Sequence, residues 1–263
     1  NRSTQFSYDN LNRHIQTVDA LQGQASQEFN AMGNRKAMVD ANNNRRGFSF
    51  DLAGRLTGSS SDTGSHSYTY NQAGLLSGFT NGRGQNRTWQ YDDARRLISQ
   101  NDPDGSISCT YDGNGNLLTV SDASGTITRQ YDALNRVVSY TDARGNTIGY
   151  TYDEAGNLST ITYPGGKQVQ YTYDAADKLT QVRDWAGRIT TYAYDANGRL
   201  TGTHRPDGTV ETRTYNEAGR LTRIKDVAPG GSTLTQFDFT YDAAGNITDE
   251  FSNLPDPANT GDN

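Results

Sequence analysis

Apolar and polar residues alternate with a period of two along most of this chain, and the alternation stops and restarts at regular distances. Ile148, Tyr150 and Tyr152 are separated by polar or small residues, as are Val169, Tyr171 and Tyr173, and Phe237, Phe239 and Tyr241. A period of two in β-branched and aromatic residues predicts strands. No window carries the i, i+3, i+4 apolar stripe of an amphipathic helix. Each alternating run ends in one phrase, Tyr152-Asp153-Glu154-Ala155-Gly156-Asn157-Leu158. It returns as Tyr194-Asp195-Ala196-Asn197-Gly198-Arg199-Leu200 and as Tyr215-Asn216-Glu217-Ala218-Gly219-Arg220-Leu221.

Degenerate copies of the phrase place twelve aromatic anchors: Tyr8, Phe29, Phe50, Tyr70, Tyr91, Tyr111, Tyr131, Tyr152, Tyr173, Tyr194, Tyr215 and Tyr241. Successive gaps are 20 or 21 residues until the last, which is 26. A near-fixed period over the whole length marks a repeat architecture, and one array over residues 1–250 is expected, with 251–263 as a polar tail.

Asp or Asn follows every anchor. Gly stands four residues after eight of them: Gly33, Gly54, Gly74, Gly115, Gly156, Gly198, Gly219 and Gly245. Asn12, Asn135 and Asp177 fill three of the other four positions, and these types tolerate a left-handed backbone. Arg95 is the exception. Arg, Lys or Asn usually comes next, and then Leu, Val or Ile in ten of the twelve units. The first two units are the most worn, with His14 and Arg35 at that last position.

A second turn is marked by Gly fourteen residues after the anchor, in phrases such as Asp102-Pro103-Asp104-Gly105. Pro fixes φ, Asp bonds its own backbone and Gly supplies φ > 0. Each unit therefore reads as strand, turn, strand, turn. The long last interval contains Val227-Ala228-Pro229-Gly230-Gly231-Ser232, where an enlarged hairpin tip is expected, and the pattern is expected to dissolve after Ile247.

About twenty-two antiparallel strands at roughly 4.8 Å each would make a strip about 100 Å long. Strand twist should wind such a strip into a spiral or a wide barrel. A barrel of that width is not filled by its own side chains, so the expected object is a hollow wall one sheet thick. The fold class is all-β, with stability in cross-strand ladders rather than a central core.

Composition constrains partners. The formal charge of −6 argues against nucleic acid, which would want a basic stripe. Leu, Ile, Val and Phe are sparse, yet sixteen Tyr recur in register, which opposes disorder. Cys109 is the one cysteine, so no internal disulfide forms, and it is read as a small packed residue. No signal sequence and no apolar run able to span a membrane is visible. The chain begins with Asn1 and is read as part of a longer polypeptide.

The phrase Tyr-Asp-x-x-Gly-Arg/Asn-Leu, carried by Tyr152–Leu158, Tyr194–Leu200 and Tyr215–Leu221 and repeated in register from residue 8 to 247, resembles the YD repeat of the Rhs family. That group includes bacterial polymorphic-toxin shells, C components of insecticidal toxin complexes, wall-associated repeat proteins and teneurins. The resemblance implies a spiralling β-sheet cocoon, secreted or on the cell surface, that encloses or displays another polypeptide such as a toxin domain. One departure is the missing Asp-Pro-x-Gly-x-x-x-Asp-Pro-x-Gly stretch with which many shells end in self-cleavage.

Candidate chemistry is thin. His14, His66 and His204 occupy non-equivalent repeat positions, and no metal-spaced pair, nucleophile elbow or phosphate loop is present. No catalytic, cofactor-binding or metal-binding residue is assigned, and no enzyme activity is expected. Asn101-Asp102-Pro103-Asp104-Gly105 is rich in oxygen ligands but reads better as a turn. Two other functions stay open: a surface module whose aromatics engage glycans or cell-wall polymer, and a repeat tube without cargo. A terminal strand bearing Phe237, Phe239 and Tyr241 is expected to present an exposed edge that drives self-association.

Overall fold

A computed structural model describes residues 3–253 and shows an all-β antiparallel protein, with no helix among those residues. The chain falls into two compact units, Asn1–Thr128 and Arg129–Asn263. The period had implied one array from 1 to 250; the unit boundary lies inside a strand, and the repeat phrase runs through both units.

In the first unit the strands are β1 (Gln5–Tyr8), β2 (His14–Val18), β3 (Gln24–Phe29), β4 (Arg35–Val39), β5 (Arg45–Phe50) and β6 (Leu56–Ser61). They continue as β7 (Gly64–Tyr70), β8 (Leu76–Thr80), β9 (Asn86–Tyr91), β10 (Leu97–Asp102), β11 (Gly105–Tyr111), β12 (Leu117–Asp122) and the start of β13 (Gly125–Tyr131). The second unit holds the end of β13, then β14 (Val137–Thr141), β15 (Thr147–Tyr152), β16 (Leu158–Thr162), β17 (Gln168–Tyr173) and β18 (Leu179–Arg183). It closes with β19 (Ile189–Tyr194), β20 (Leu200–His204), β21 (Val210–Tyr215), β22 (Leu221–Val227), β23 (Thr233–Tyr241) and β24 (Ile247–Asn253). From β1 to β13 and again from β14 to β24, each strand pairs antiparallel with its neighbour in the chain.

Every anchor ends a strand. The five residues after it form a turn in which, for example, Gly156 N–H donates to Asp153 O at 3.1 Å and Asp153 N–H donates to Asn157 O at 2.9 Å. Ladder register then shifts by one residue: Thr151 faces Thr160, but Tyr152 faces Leu158. This bulge is the structural content of the phrase. Gly156 has φ +96°, and the residues that replace Gly do the same: Asn12, Asn135, Asp177 and Arg95 all lie between φ 57° and 66°.

The second turn explains the wavering period. Where anchors are 21 apart it is the same five-residue type, as in Asp142–Asn146 and Asp184–Arg188. Where they are 20 apart, two residues connect paired ends: Ser61 faces Gly64, Asp102 faces Gly105 and Asp122 faces Gly125. The two-residue turn saves three residues and each flanking strand gains one, β10 and β11 having 6 and 7 residues where β14 and β15 have 5 and 6, so the period falls by one.

Two expectations need correction. The 26-residue interval holds no enlarged tip, because Ala228–Ser232 closes with the ordinary pair of bonds. The extra residues lengthen the strands instead: β22 and β23 have 7 and 9 residues where β20 and β21 have 5 and 6. The alternation simply continues, and Arg223 meets Asp238 at 2.5 Å across the extended hairpin. Second, Phe237, Phe239 and Tyr241 are not on an edge, since β23 is paired with β22 on one side and β24 on the other. The strand β24 carries the array to Asn253, past the expected limit of 250; the rest of the tail lies outside the described residues.

The described residues form no central core. Among them only Ala37, Val169, Gly202 and Thr203 are buried. Alternation gives each strand two faces. One carries the anchors and the aromatics two before them, with Tyr68 against Phe79 at 5.3 Å. The other carries hydroxyl pairs: Thr110 bonds Thr119 directly across the ladder at 2.6 Å, and Thr151 and Thr214 bond the bulge residues Ser159 and Thr222, one short of their facing partners, at 2.9 and 3.1 Å.

Candidate functional site: the junction between repeats

The repeated chemistry lies where one unit meets the next. In the turn, the residue after the anchor is the organiser. Asp51 Oδ1 accepts from the backbone N–H of Ala53 and of Arg55, both at 2.9 Å. Asn30 makes the same two bonds, to Met32 and Asn34, so an amide oxygen serves equally. The second carboxylate oxygen holds the cation five residues after the anchor. Arg55, Arg96, Arg136 and Arg199 each pair with the Asp four residues earlier at 2.7 Å.

That cation then covers the next anchor. Arg136 sits 4.2 Å from the ring centre of Tyr152, and Arg55, Arg96 and Arg199 sit 4.6 Å from those of Tyr70, Tyr111 and Tyr215. Lys178 over Tyr194 and Arg220 over Tyr241 are looser, at 5.7 and 5.6 Å. The anchor hydroxyl completes the joint by donating to the carbonyl six residues after the previous anchor. Tyr70 reaches Leu56 O at 2.8 Å, Tyr91 Leu76 O at 2.9 Å, Tyr111 Leu97 O at 2.9 Å and Tyr152 Val137 O at 2.8 Å. Tyr173, Tyr194, Tyr215 and Tyr241 repeat the bond to Leu158, Leu179, Leu200 and Leu221 at 2.7–3.0 Å. In its complete form the socket is an Asp, an Arg and a Leu or Val carbonyl, and the next unit plugs it with a tyrosine.

The turn glycine has a second duty beyond its φ. A Cβ on Gly219 would stand 3.3 Å from Arg199 Nη1, and one on Gly198 would stand 3.1 Å from Lys178 Cε. The glycine of one unit is therefore the floor on which the previous unit's cation rests.

The same contacts set the acidity of the turns. Backbone N–H donation from Arg55, Arg96, Arg136 and Arg199, followed by their guanidinium bonds, holds Asp51, Asp92, Asp132 and Asp195 below the ordinary carboxylate range against a partial loss of hydration. The Asn116 and Asn146 side-chain amides do the same for Asp112 and Asp142. Burial raises the phenols of Tyr111, Tyr173 and Tyr194.

The twelve anchors are not equivalent. Phe29 and Phe50 have no hydroxyl, although Arg13 lies 4.5 Å over Phe29. Tyr173 rests in a socket whose sixth member is Asn157, bonded to Asp153 at 3.2 Å and Asp177 at 2.7 Å. The worn position His14 is absorbed locally, with its ring between Phe6 and Tyr8 at 5.7 Å each and its nitrogens within reach of Thr17 and Gln27. Cys109 is half-buried in β11 opposite Val120. The Asp102 carboxylate bonds Asp104 N–H and Arg87, at 3.0 and 3.1 Å, in the tight β10–β11 turn.

Anchors and glycines were marked by sequence. The role of the cation was not, although its recurrence between Asp and the next Tyr was the available signal.

Fold and junction define a tandem array of β-hairpins fastened tyrosine to socket. The RHS Repeat family matches residues 70–107, 111–147, 131–168, 152–189, 173–210, 194–233 and 215–250, more than half of the chain, and the chain belongs to that family. Among solved structures, a Photorhabdus luminescens Tc holotoxin pore is similar over 94% of this chain, with TM-score 0.58 and 19% identity. A TcdB2-TccC3-TEV structure matches over 96% at TM-score 0.58 and 16% identity, and a TcdB2-TccC3-Cdc42 structure over 96% at 0.55 and 16%. At these identities the likeness is one of fold. The chain spans only 15–18% of the length of those chains. No curated protein matches it. No helix among the described residues is long and apolar enough to cross a membrane.

Proposed function

We propose that this chain is a wall segment of a secreted YD-repeat shell that encloses or displays another polypeptide, such as a toxin domain. The observation that carries the reading is the junction itself. Bonds between successive units fasten a sheet that has almost no buried interior, which suits a wall and gives little support to a pocket for small-molecule chemistry. The segment acts mechanically in this reading and not as an enzyme. Likeness of fold to the Tc holotoxin structures supports it, and the cargo would belong to polypeptide outside residues 1–263.

The test is protease protection in the full-length gene product. A stretch outside the array should resist cleavage in the native protein and become cleavable when Tyr152 and Tyr194 are both replaced by Asp. Equal cleavage in both proteins would refute the shell.

A second reading, glycan or cell-wall binding, rests on one local feature. Trp185 is 53% exposed, with Tyr163 edge-on at 6.2 Å and Lys167 over it at 5.5 Å. An exposed indole beside polar groups is a platform for a sugar face. Tryptophan fluorescence that shifts with cell-wall oligosaccharide, and not in Trp185→Ala, would favour this reading over the shell.

A further inference from the structure

One buried cation in the second unit has no counterpart in its own chain. Among the described residues, the buried side-chain nitrogen that makes no hydrogen bond is Nη1 of Arg129. Arg129 lies on β13, two residues before Tyr131, on the face that carries the anchors. Phe48, Tyr68, Trp89, Tyr150, Tyr171 and Tyr192 fill that slot in other repeats. Arg213 also fills it, and there Glu211, two residues earlier, accepts from its Nε at 2.7 Å. The residue two before Arg129 is Ile127. A donor taken out of water without an acceptor costs stability, and a charged one costs more. An aromatic ring in the slot carries no such cost.

The surroundings supply no anion. The guanidinium carbon of Arg129 lies 5.5 Å from the ring centre of Tyr140, and β14 to β17 contain no charged residue. Asp122, in the strand before, is held by Ser124. From Tyr140 the same face continues as an apolar strip: Tyr140 faces Ile148, Tyr150 faces Ile161, and Ile161 faces Val169.

We propose that this face meets the enclosed polypeptide, and that Arg129 takes an Asp or Glu carboxylate whose apolar neighbours cover Tyr140 and Ile148. The inference rests on the shell reading for the source of that polypeptide. A guanidinium presents a planar fork that a carboxylate meets with two parallel bonds, and an apolar setting strengthens them. A small free anion would pair with the cation but leave the strip uncovered. A nucleic acid would bring many charges to one cation, on a chain of formal charge −6. An acidic side chain among apolar ones satisfies both halves of the site.

Fluorescence anisotropy on the 263-residue chain tests it, with a labelled, end-blocked peptide carrying one Glu among Leu and Tyr residues. The same peptide with Gln for Glu should bind about tenfold more weakly or worse, the loss of a charge-assisted bond. Arg129→Gln should reduce the Glu peptide to the level of the Gln peptide. Arg129→Lys, which keeps the charge without the fork, should fall between. Arg129→Tyr restores the ring of the other repeats, and its urea midpoint should equal or exceed that of wild type. Equal binding of the two peptides, or full binding by Arg129→Gln, overturns the proposal. So does displacement by acetate as effective as by unlabelled Glu peptide, which would make this a site for any small anion. A clear fall in midpoint for Arg129→Tyr would make the guanidinium a structural part of the wall and overturn it as well. If neither peptide binds, this inference fails while protease protection still decides the shell.

Discussion

Comparing two anchors that differ in one neighbour isolates the cation in the junction. Tyr152 and Tyr173 both end strands, both are half-buried, and both donate to a carbonyl of the previous unit, at 2.8 and 3.0 Å. Arg136 lies 4.2 Å over Tyr152, whereas the corresponding position before Tyr173 is Asn157. Tyr→Phe at either site removes one hydrogen bond and should cost about 1 kcal/mol. Tyr→Leu removes the ring as well, and the ring's packing loss is common to both. The cation–π contact, at a partly exposed site, adds about 0.5–1 kcal/mol at Tyr152 alone.

Urea unfolding followed by far-ultraviolet circular dichroism is the assay, with shifts in midpoint read as stability only where the slope is unchanged. Arg136→Gln also breaks the pair with Asp132, so the cleaner number comes from a double-mutant cycle of Arg136→Gln and Tyr152→Leu. A coupling of about 0.5–1 kcal/mol is expected. A coupling inside the roughly 0.3 kcal/mol scatter of independent sites would show that the stacked guanidinium contributes nothing.

Two further outcomes follow from the turns. Gly198→Val puts a β-branched residue at φ +80° with its Cβ 3.1 Å from Lys178 Cε, and should cost about 1–3 kcal/mol, whereas Arg95→Gly relieves a left-handed arginine at φ 66° for the loss of its exposed bond to Ala73 O and should be neutral or stabilising; equal midpoints for Gly198→Val and wild type in urea would refute the first, and a clear loss for Arg95→Gly the second. Because Asp51, Asp92, Asp132 and Asp195 are held below their ordinary 3.8, their contribution is fully present above that value and is lost as pH falls through the depressed values, so the urea midpoint should hold steady to about pH 5 and drop below about pH 4; a midpoint unchanged at pH 3 would contradict the assigned bonds.

What the sequence made legible was whatever a single residue must satisfy by itself. Gly156 and its substitutes Asn12, Asn135 and Asp177 announce a left-handed backbone, and the residue after each anchor announces a side chain bonding its own turn. The cation was harder because its partner ring lies in the next unit: Arg136 and Tyr152 are brought together only by a bulge and a strand pairing. Turn formers misled at Pro229-Gly230-Gly231, where their density read as a larger loop although the tip is ordinary and the strands are long. Ile247–Asn253 read as an end of pattern because Asp249 and Glu250 interrupt its apolar positions. It forms a strand nonetheless, because β23 supplies a ladder partner for each of its residues from Asp249 to Asn253. Where burial is this slight, pairing outweighs side-chain preference.

The near absence of buried residues also explains why worn units remain in the array. A junction has three separable parts: the hydroxyl bond, the stacked cation and the side chain that bonds its own turn. Phe29 lacks the first and keeps Arg13 over its ring. Tyr91 follows Leu75 and lacks the second, yet keeps its bond to Leu76 O at 2.9 Å. Asn216 gives up a carboxylate, but its oxygen still accepts from Arg220 N–H at 2.9 Å. The hydroxyl bond and the stacked cation each contribute on the order of 1 kcal/mol, so losing one part leaves the others to hold the register. A close-packed core gives no such latitude, because a missing side chain there leaves a cavity that its neighbours cannot fill. The phrase can therefore drift at any one position as long as some other part of the same junction is kept, and that is the pattern of variation seen from Tyr8 to Tyr241.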